Sequence, residues 1–193
     1  MTSFHDLAAT RRANRSFTGE PVDEKVLDRI CATALEAPSA FNTQMRDLVV
    51  VRDETVKKAL VAASGQQQFL DAPVVLVAVG FTGALPPDAD ELFPRAKQDF
   101  ITGFYAQRNN PHTLREHALR GAMLLASFAM MAATEEGLAT CPTTGWDEQG
   151  VKQAIGLGDR DDAVIALLVT VGHSDTVPPH PGRQANRRVD DSY

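Results

Sequence analysis

Val74-Val75-Leu76-Val77-Ala78-Val79-Gly80, introduced by Ala72-Pro73, is an unbroken apolar run with no polar residue inside it. A strand with one wet face alternates polar and apolar positions, so a run without alternation has the pattern of a strand covered on both faces. A second such run is Ala163-Val164-Ile165-Ala166-Leu167-Leu168-Val169-Thr170-Val171-Gly172. Strands of this kind, separated by helical stretches, predict an α/β or α+β sandwich with a sheet in its middle.

The flanking sequence supplies the other layers. Phe4, Leu7 and Ala8 recur at helical spacing. Pro21-Val22-Asp23-Glu24 reads as the start of a helix, with Asp23 its cap and Val26, Leu27, Ile30, Ala34 and Leu35 on one face. Leu48-Val49-Val50-Val51 is a short β-branched run flanked by charges and predicts a strand. Glu54 to Ser64 is again helical, with Val56, Leu60 and Ala63 in step. The segment from Phe81 to Pro111 is the most irregular, with prolines at 86, 87, 94 and 111 around a helical stretch near Glu91 to Tyr105.

Leu114 to Glu136 predicts a helix of about 23 residues, roughly 35 Å long. From Ala118 through Met131 it is apolar nearly all round, and a helix with no polar face must be buried on every side. A chain of 193 residues has little material for that, so the sequence predicts a homodimer with this helix at its centre.

Bulk properties exclude several classes. The length suits a single domain, 1–193, with a core that needs no staples. A net charge of -6 argues against a general nucleic-acid binder. The longest charge-free apolar stretch, Gly121 to Thr134, falls short of the roughly 18 residues that suggest a membrane span. No basic-then-apolar leader opens the sequence. Cys31 and Cys141 make no metal-ligand spacing, and a reduced, cytoplasmic setting fits them. Five histidines show no paired spacing, so no metal site is expected.

Against that acidic background, Arg11-Arg12-Ala13-Asn14-Arg15-Ser16-Phe17 places three arginines within five positions. Arginine suits phosphate through its planar, permanently charged donors. The cluster alone is equally compatible with a solvated basic turn. A second motif, Ala37-Pro38-Ser39-Ala40-Phe41-Asn42-Thr43-Gln44, closes a helix with amide and hydroxyl groups that both donate and accept. A third, Gly137-Leu138-Ala139-Thr140-Cys141-Pro142-Thr143-Thr144-Gly145-Trp146-Asp147, follows the long apolar helix, and Arg183, Arg187 and Arg188 stand near the end. In this order and spacing the four pieces resemble the nitroreductase family of FMN-dependent oxidoreductases, along nearly the whole chain.

The resemblance implies an α+β fold with a central mixed, mainly antiparallel sheet flanked by helices, in an intertwined homodimer. It implies FMN as cofactor, with NADPH or NADH as reductant. Arg11 and Arg12 would lie under the pyrimidine and ribityl phosphate side, with Arg15, Arg187 and Arg188 available to the phosphate. Ala13 stands where the family often has serine, so the arginines carry more of the anion binding. Pro38, Ser39, Asn42 and Gln44 would reach the flavin from the opposite subunit. Pro142, Thr143, Thr144 and Gly145 would face the ring, the last two through backbone N–H groups near N5 and O4. Gln66 would meet the pyrimidine edge, in a Gln66-Gln67-Gln68 run whose register is open. Catalytic side chains are not expected: Cys141 has no histidine partner in view and sits in apolar context. With neither a glycine-rich phosphate loop nor a dinucleotide fingerprint, the nicotinamide would stack on the flavin in one shared site. That implies ping-pong reduction of quinones or nitroaromatics. A reductase of a specific metabolite and a non-enzymatic flavin sensor remain the alternatives.

Overall fold

The computed structural model describes residues 3–108, 110–184 and 187–192. In chain order they form α1 (Phe4–Thr10), α2 (Glu24–Leu35), a 3-10 turn (Ala40–Asn42), β1 (Arg46–Val51), α3 (Glu54–Ser64) and α4 (Gln68–Asp71). Then follow β2 (Val74–Phe81), α5 (Ala89–Leu92), α6 (Arg95–Ala106), α7 (Pro111–Glu135), β3 (Ala139–Thr143), α8 (Glu148–Ala154) and β4 (Ala163–Gly172).

Local chemistry fixes most of these boundaries. Asp23 caps α2 by accepting from the N–H groups of Lys25 and Val26, and Asp53 does the same for α3 at Thr55 and Val56. Gly65, at φ 69°, ends α3 in the left-handed conformation that glycine adopts without strain. The chain turns there and comes back along the sheet, so that Val75 of β2 starts opposite Val51, the last residue of β1. The helix expected over 91–105 is broken into α5 and α6, because Pro94 holds Phe93 extended. Asn110 caps α7 and Pro111 opens it, which lengthens the helix to 25 residues.

The strands lie in the order β1-β2-β4-β3, and every ladder is antiparallel. Among the described residues the parallel component of the expected mixed sheet reduces to a single bridge, Ala13 with Thr140. β3 is a strand that the apolar pattern did not announce.

Both faces of β2 and β4 are covered. Val74, Leu76, Ala78, Val169 and Val171 pack against Leu27 and Ile30 of α2 and Ala122, Leu125 and Ala129 of α7. Val75, Val77, Val79 and Leu168 pack on the other side against Leu60 of α3, Phe69 of α4 and Val151 of α8. The small residues of α7 let it approach the sheet closely: a Cβ at Gly80 would lie 2.4 Å from the Ala118 carbonyl oxygen. Only one face of α7 is buried within the chain, along Ala118, Ala122, Leu125, Ala126, Ala129, Ala132 and Ala133. On its other face Met123, Leu124 and Phe128 are 38%, 42% and 39% exposed, so burial on every side is not achieved by one chain.

Gly80→Ala forces apart two backbones that cannot both stay in place. It is expected to lower stability by about 1–3 kcal/mol or more, read as a shift in the urea midpoint.

Candidate active site

Arg11 is the C-cap of α1, and the chain beyond it runs extended along the start of β3. The Asn14 N–H donates to the Thr140 carbonyl at 2.9 Å. The Asn14 side chain is buried and fully used: Nδ2 donates to Ser174 Oγ at 2.9 Å and to the Thr176 carbonyl, while Oδ1 accepts from the Ser16 N–H at 2.9 Å. Asn14 therefore ties the arginine segment to the chain leaving β4.

Around this anchor the cations gather without counter-charges. Burial, and then the like charge of Arg183, push the Arg11 guanidinium below its ordinary value, although it stays protonated. The Cys141 thiol is pushed up by its own burial, against the opposing pull of Arg15 and Arg11. The charges of Arg183 and Arg12 thus bear on Arg11, and those of Arg15 and Arg11 on Cys141. Among the described residues Arg11, Arg12, Arg15 and Arg183 take part in no ion pair. Arg11 Nη1, Arg12 Nε and Thr140 Oγ1 are buried and have no hydrogen-bond partner among the described residues. All three residues line one cleft of about 200 Å3 with Asn14, Ser174 and Thr176. Unpaired buried donors are costly, and an anion rich in acceptor oxygens is one group that relieves them.

The C-terminal arginines divide differently from expectation. Arg187 Nε donates to Gln184 Oε1 at 2.6 Å and Arg188 pairs with Asp190 at 2.7 Å, both on the surface. Arg183 is the one whose charge bears on Arg11.

On the other side of β3 lies an amide network. Gln68 Nε2 donates to Thr143 Oγ1 at 2.8 Å and to Gln66 Oε1 at 3.0 Å, and Gln66 Nε2 reaches the Gly145 carbonyl at 3.3 Å. Gln68 is buried with its Oε1 unpartnered among the described residues, whereas Gln67 bonds Asp71 at the surface. Pro142 is half-buried on β3, and Thr144 and Gly145 are exposed just beyond it. Their backbone N–H groups donate to nothing among the described residues. A Cβ at Gly145 would be 3.6 Å from Gln66 Nε2, an ordinary contact, so the chain's own packing does not demand glycine there.

The remaining candidates lie elsewhere. Pro38, Asn42 and Gln44 are exposed and Ser39 half-buried on a turn attached to β1. β1 and β3 are opposite edges of the sheet, three strand spacings apart, or roughly 14 Å. One chain does not bring this turn to the arginines. The turn is strained: Phe41, Asn42 and Gln44 have φ of 54°, 59° and 53°, at about 1–3 kcal/mol each for a residue other than glycine. Ser39 holds it closed, its carbonyl accepting from Asn42 N–H and its Oγ from Gln44 N–H, both at 3.0 Å. Phe41 packs edge-on against Phe104 of α6 at 4.9 Å between ring centroids. Beside it a cleft of about 280 Å3 is lined by Ser39, Arg46, Tyr105, His117 and Leu124.

Sequence reasoning passed over Asn14, Thr140 and Gln68 as site residues, and Arg46 altogether. Thr140 and Gln68 stood inside quoted motifs, but only the folded chain shows which of their atoms are left unpaired.

The nitroreductase family model matches residues 8–173. "Putative NAD(P)H nitroreductase MhqN" of Bacillus subtilis is 31% identical, covering 94% of this chain and 93% of its own. A protein named NADH dehydrogenase from Thermus thermophilus is 32% identical over 86% of this chain and 84% of its own. Among solved structures, the Bacillus subtilis nitroreductase-type protein ydfN superposes with a TM-score of 0.84 at 28% identity, covering 95% of each chain. A structure from Exiguobacterium sibiricum in complex with FMN has a TM-score of 0.81 at 21% identity, covering 96% of this chain and 94% of that one. A fold of this shape is thus shared with solved nitroreductase-type proteins, one of them in complex with FMN. The chain belongs to the nitroreductase family.

Asn14→Ala removes the tie between residues 11–15 and 174–176. It is expected to destabilise by about 1–3 kcal/mol in urea titrations, with faster amide exchange at Ser16, whose N–H loses its acceptor.

Proposed function

We propose that this chain, acting as one domain, transfers electrons from NAD(P)H to electron-poor acceptors such as quinones and nitroaromatics, through a site shared by donor and acceptor. Its family makes it an oxidoreductase that uses FMN with NAD(P)H. The observation that carries the reading is the arginine group without ion pairs, in which Arg11 Nη1 and Arg12 Nε are buried without acceptors among the described residues. The residues present fit FMN: a phosphate monoester supplies the missing acceptors and charge, and a heteroaromatic edge matches the amide network at Gln66.

In this reading Arg11, Arg12 and Arg15 hold the phosphate and ribityl side, and Arg183 takes the place expected of Arg187 and Arg188. The backbone at Ala13 follows the same side without adding a hydroxyl. Gln66, Pro142, Thr143, Thr144 and Gly145 would border the ring, where the N–H groups of Thr144 and Gly145, which find no acceptor among the described residues, would be available to its polar edge. When bound, FMN supplies the hydride chemistry. The positive charge of Arg11 stabilises a negative charge that develops nearby. No side chain is assigned as acid or base, and protons come from solvent.

The turn bearing Pro38, Ser39, Asn42 and Gln44 completes the site from a second copy of the chain. Support comes from its distance from the arginines within one chain and from the exposed apolar face of α7 at Met123, Leu124 and Phe128. Such a face is the kind of surface that a homodimer buries. No helix among the described residues is long and apolar enough to cross a membrane. The free thiols of Cys31 and Cys141 and a nicotinamide reductant suit a cytoplasmic setting.

The first test is an absorbance spectrum of the FMN-loaded protein, taken anaerobically before and after NADPH or NADH. Flavin bands that bleach and return on adding a quinone support the reading; bound flavin that neither nucleotide bleaches would leave a sensor. Initial rates at several donor concentrations should give parallel double-reciprocal lines, and intersecting lines would remove the shared site.

Arg11→Ala is expected to weaken FMN binding about 10- to 100-fold, the range for a lost charge-assisted hydrogen bond, measured by fluorescence titration. Phe128→Asp should shift the sedimentation profile from dimer toward monomer and lower retained FMN in step.

A further inference from the structure

Arg46 opens β1 and is only 5% exposed, yet among the described residues it has no carboxylate partner. Its guanidinium is satisfied by carbonyls from two other parts of the chain. Nη1 donates to Pro38 O at 2.8 Å and to Gly121 O of α7 at 3.0 Å, and Nη2 donates to Ala37 O. Ala37 and Pro38 are the residues from which the strained turn departs, and the three left-handed residues follow within six positions of Pro38. A planar fork with several fixed donors holds separate carbonyls at set positions, as a flexible chain or a single donor does not. Burial disfavours this cation, so its presence asks for a return that an apolar side chain at the same position would not give.

We propose that Arg46 is a positioning residue for the cofactor: it staples the start of the 38–44 turn to β1 and α7, and so holds Ser39, Asn42 and Gln44 in the geometry that receives FMN. Neither family membership nor the motifs single this residue out. The inference rests on the reading that this turn contacts FMN. Its physical content is pre-organisation: a turn already held in a strained shape loses little further freedom when a ligand seats on it. Because the same guanidinium bonds α7, whose outer face is assigned to the dimer, the staple also fixes the turn relative to the partner that it serves.

The test compares Arg46→Met, which fills similar space without donors, with Arg46→Lys, which restores a charge and up to three donors. Both are measured as the full-length dimer for FMN dissociation constant and for the visible circular dichroism of bound flavin. Far-ultraviolet circular dichroism and sedimentation report fold and assembly. Arg46→Met is expected to raise the FMN dissociation constant tenfold or more and to alter the flavin dichroism while fold and dimer persist. Amide exchange at Asn42 and Gln44 should quicken, and Arg46→Lys should recover part of each loss. Wild-type FMN affinity and dichroism in a folded Arg46→Met would overturn the proposal. If Arg46→Met does not fold, Arg46→Lys decides: a several-fold loss with wild-type fold supports the staple, and an unchanged constant overturns it.

Ser39→Ala and Asn42→Ala separate the two layers of the argument. If both bind FMN as the wild type does, the turn is not a cofactor contact and the reading beneath the proposal fails with it. If either weakens binding while the Arg46 variants do not, only the staple is overturned.

Discussion

β2 and β4 have no wet face, and the rest of the molecule is arranged to satisfy them. Val74 through Val79 and Ala163 through Val171 are buried almost without interruption. A central strand pair of this kind needs a helical layer on each side and a strand on each edge. α2 and α7 fill one layer, and α3, α4 and α8 the other. α7 meets its share with alanines, and the close approach it needs fixes glycine at position 80. The edges fall to β1 and β3. An edge is where a strand tolerates Pro142, since a missing N–H there removes no necessary bond. It is also where residues 144–145 keep their own N–H groups free.

Two groups of buried arginine show how the same cost is met in opposite ways. Arg46 is out of water, but carbonyls on separate elements accept its hydrogen bonds, and it behaves as internal structure. Arg11 and Arg12 are also partly withdrawn, yet Nη1 of one and Nε of the other have no acceptor among the described residues, and Arg183 adds like charge. A fold does not hold cations together unpaired for its own stability. The contrast, rather than the number of arginines, distinguishes a scaffold guanidinium from one waiting for an anion.

The width of the sheet then limits what one chain can do. Its two edges carry the two groups of candidate residues, and the central strands keep them apart. In the proposed dimer the exposed face of α7 serves both ends, because burying Met123, Leu124 and Phe128 against a second copy supplies the association that brings a β1-edge turn to a β3-edge site. Assembly and cofactor binding would then be one event rather than two.

The runs at 74–80 and 163–172, the helix over 54–64 and the cap at Asp23 were legible because each is a local pattern: an apolar period, or a side chain bonding its own neighbours. The arginine segment and the Thr143-Thr144-Gly145 stretch stood out in the sequence by their chemistry alone. β3 was not, since Ala139–Thr143 has no apolar signature and exists by pairing with β4. The glutamine register was not, since Gln66, Gln67 and Gln68 differ only in where a short turn points each amide. Arg187 and Arg188 were read as available to the phosphate, whereas it is the charge of Arg183 that bears on Arg11 and the other two bond Gln184 and Asp190. Arg46 looked like a charge flanking a strand. The sequence by itself determined which segments must be buried and which residue types could meet an anion, because hydrophobic period and side-chain chemistry are local. Which arginine is satisfied and which is left unpaired was decided by the tertiary structure alone, because hydrogen-bond partners come from residues far apart in the chain.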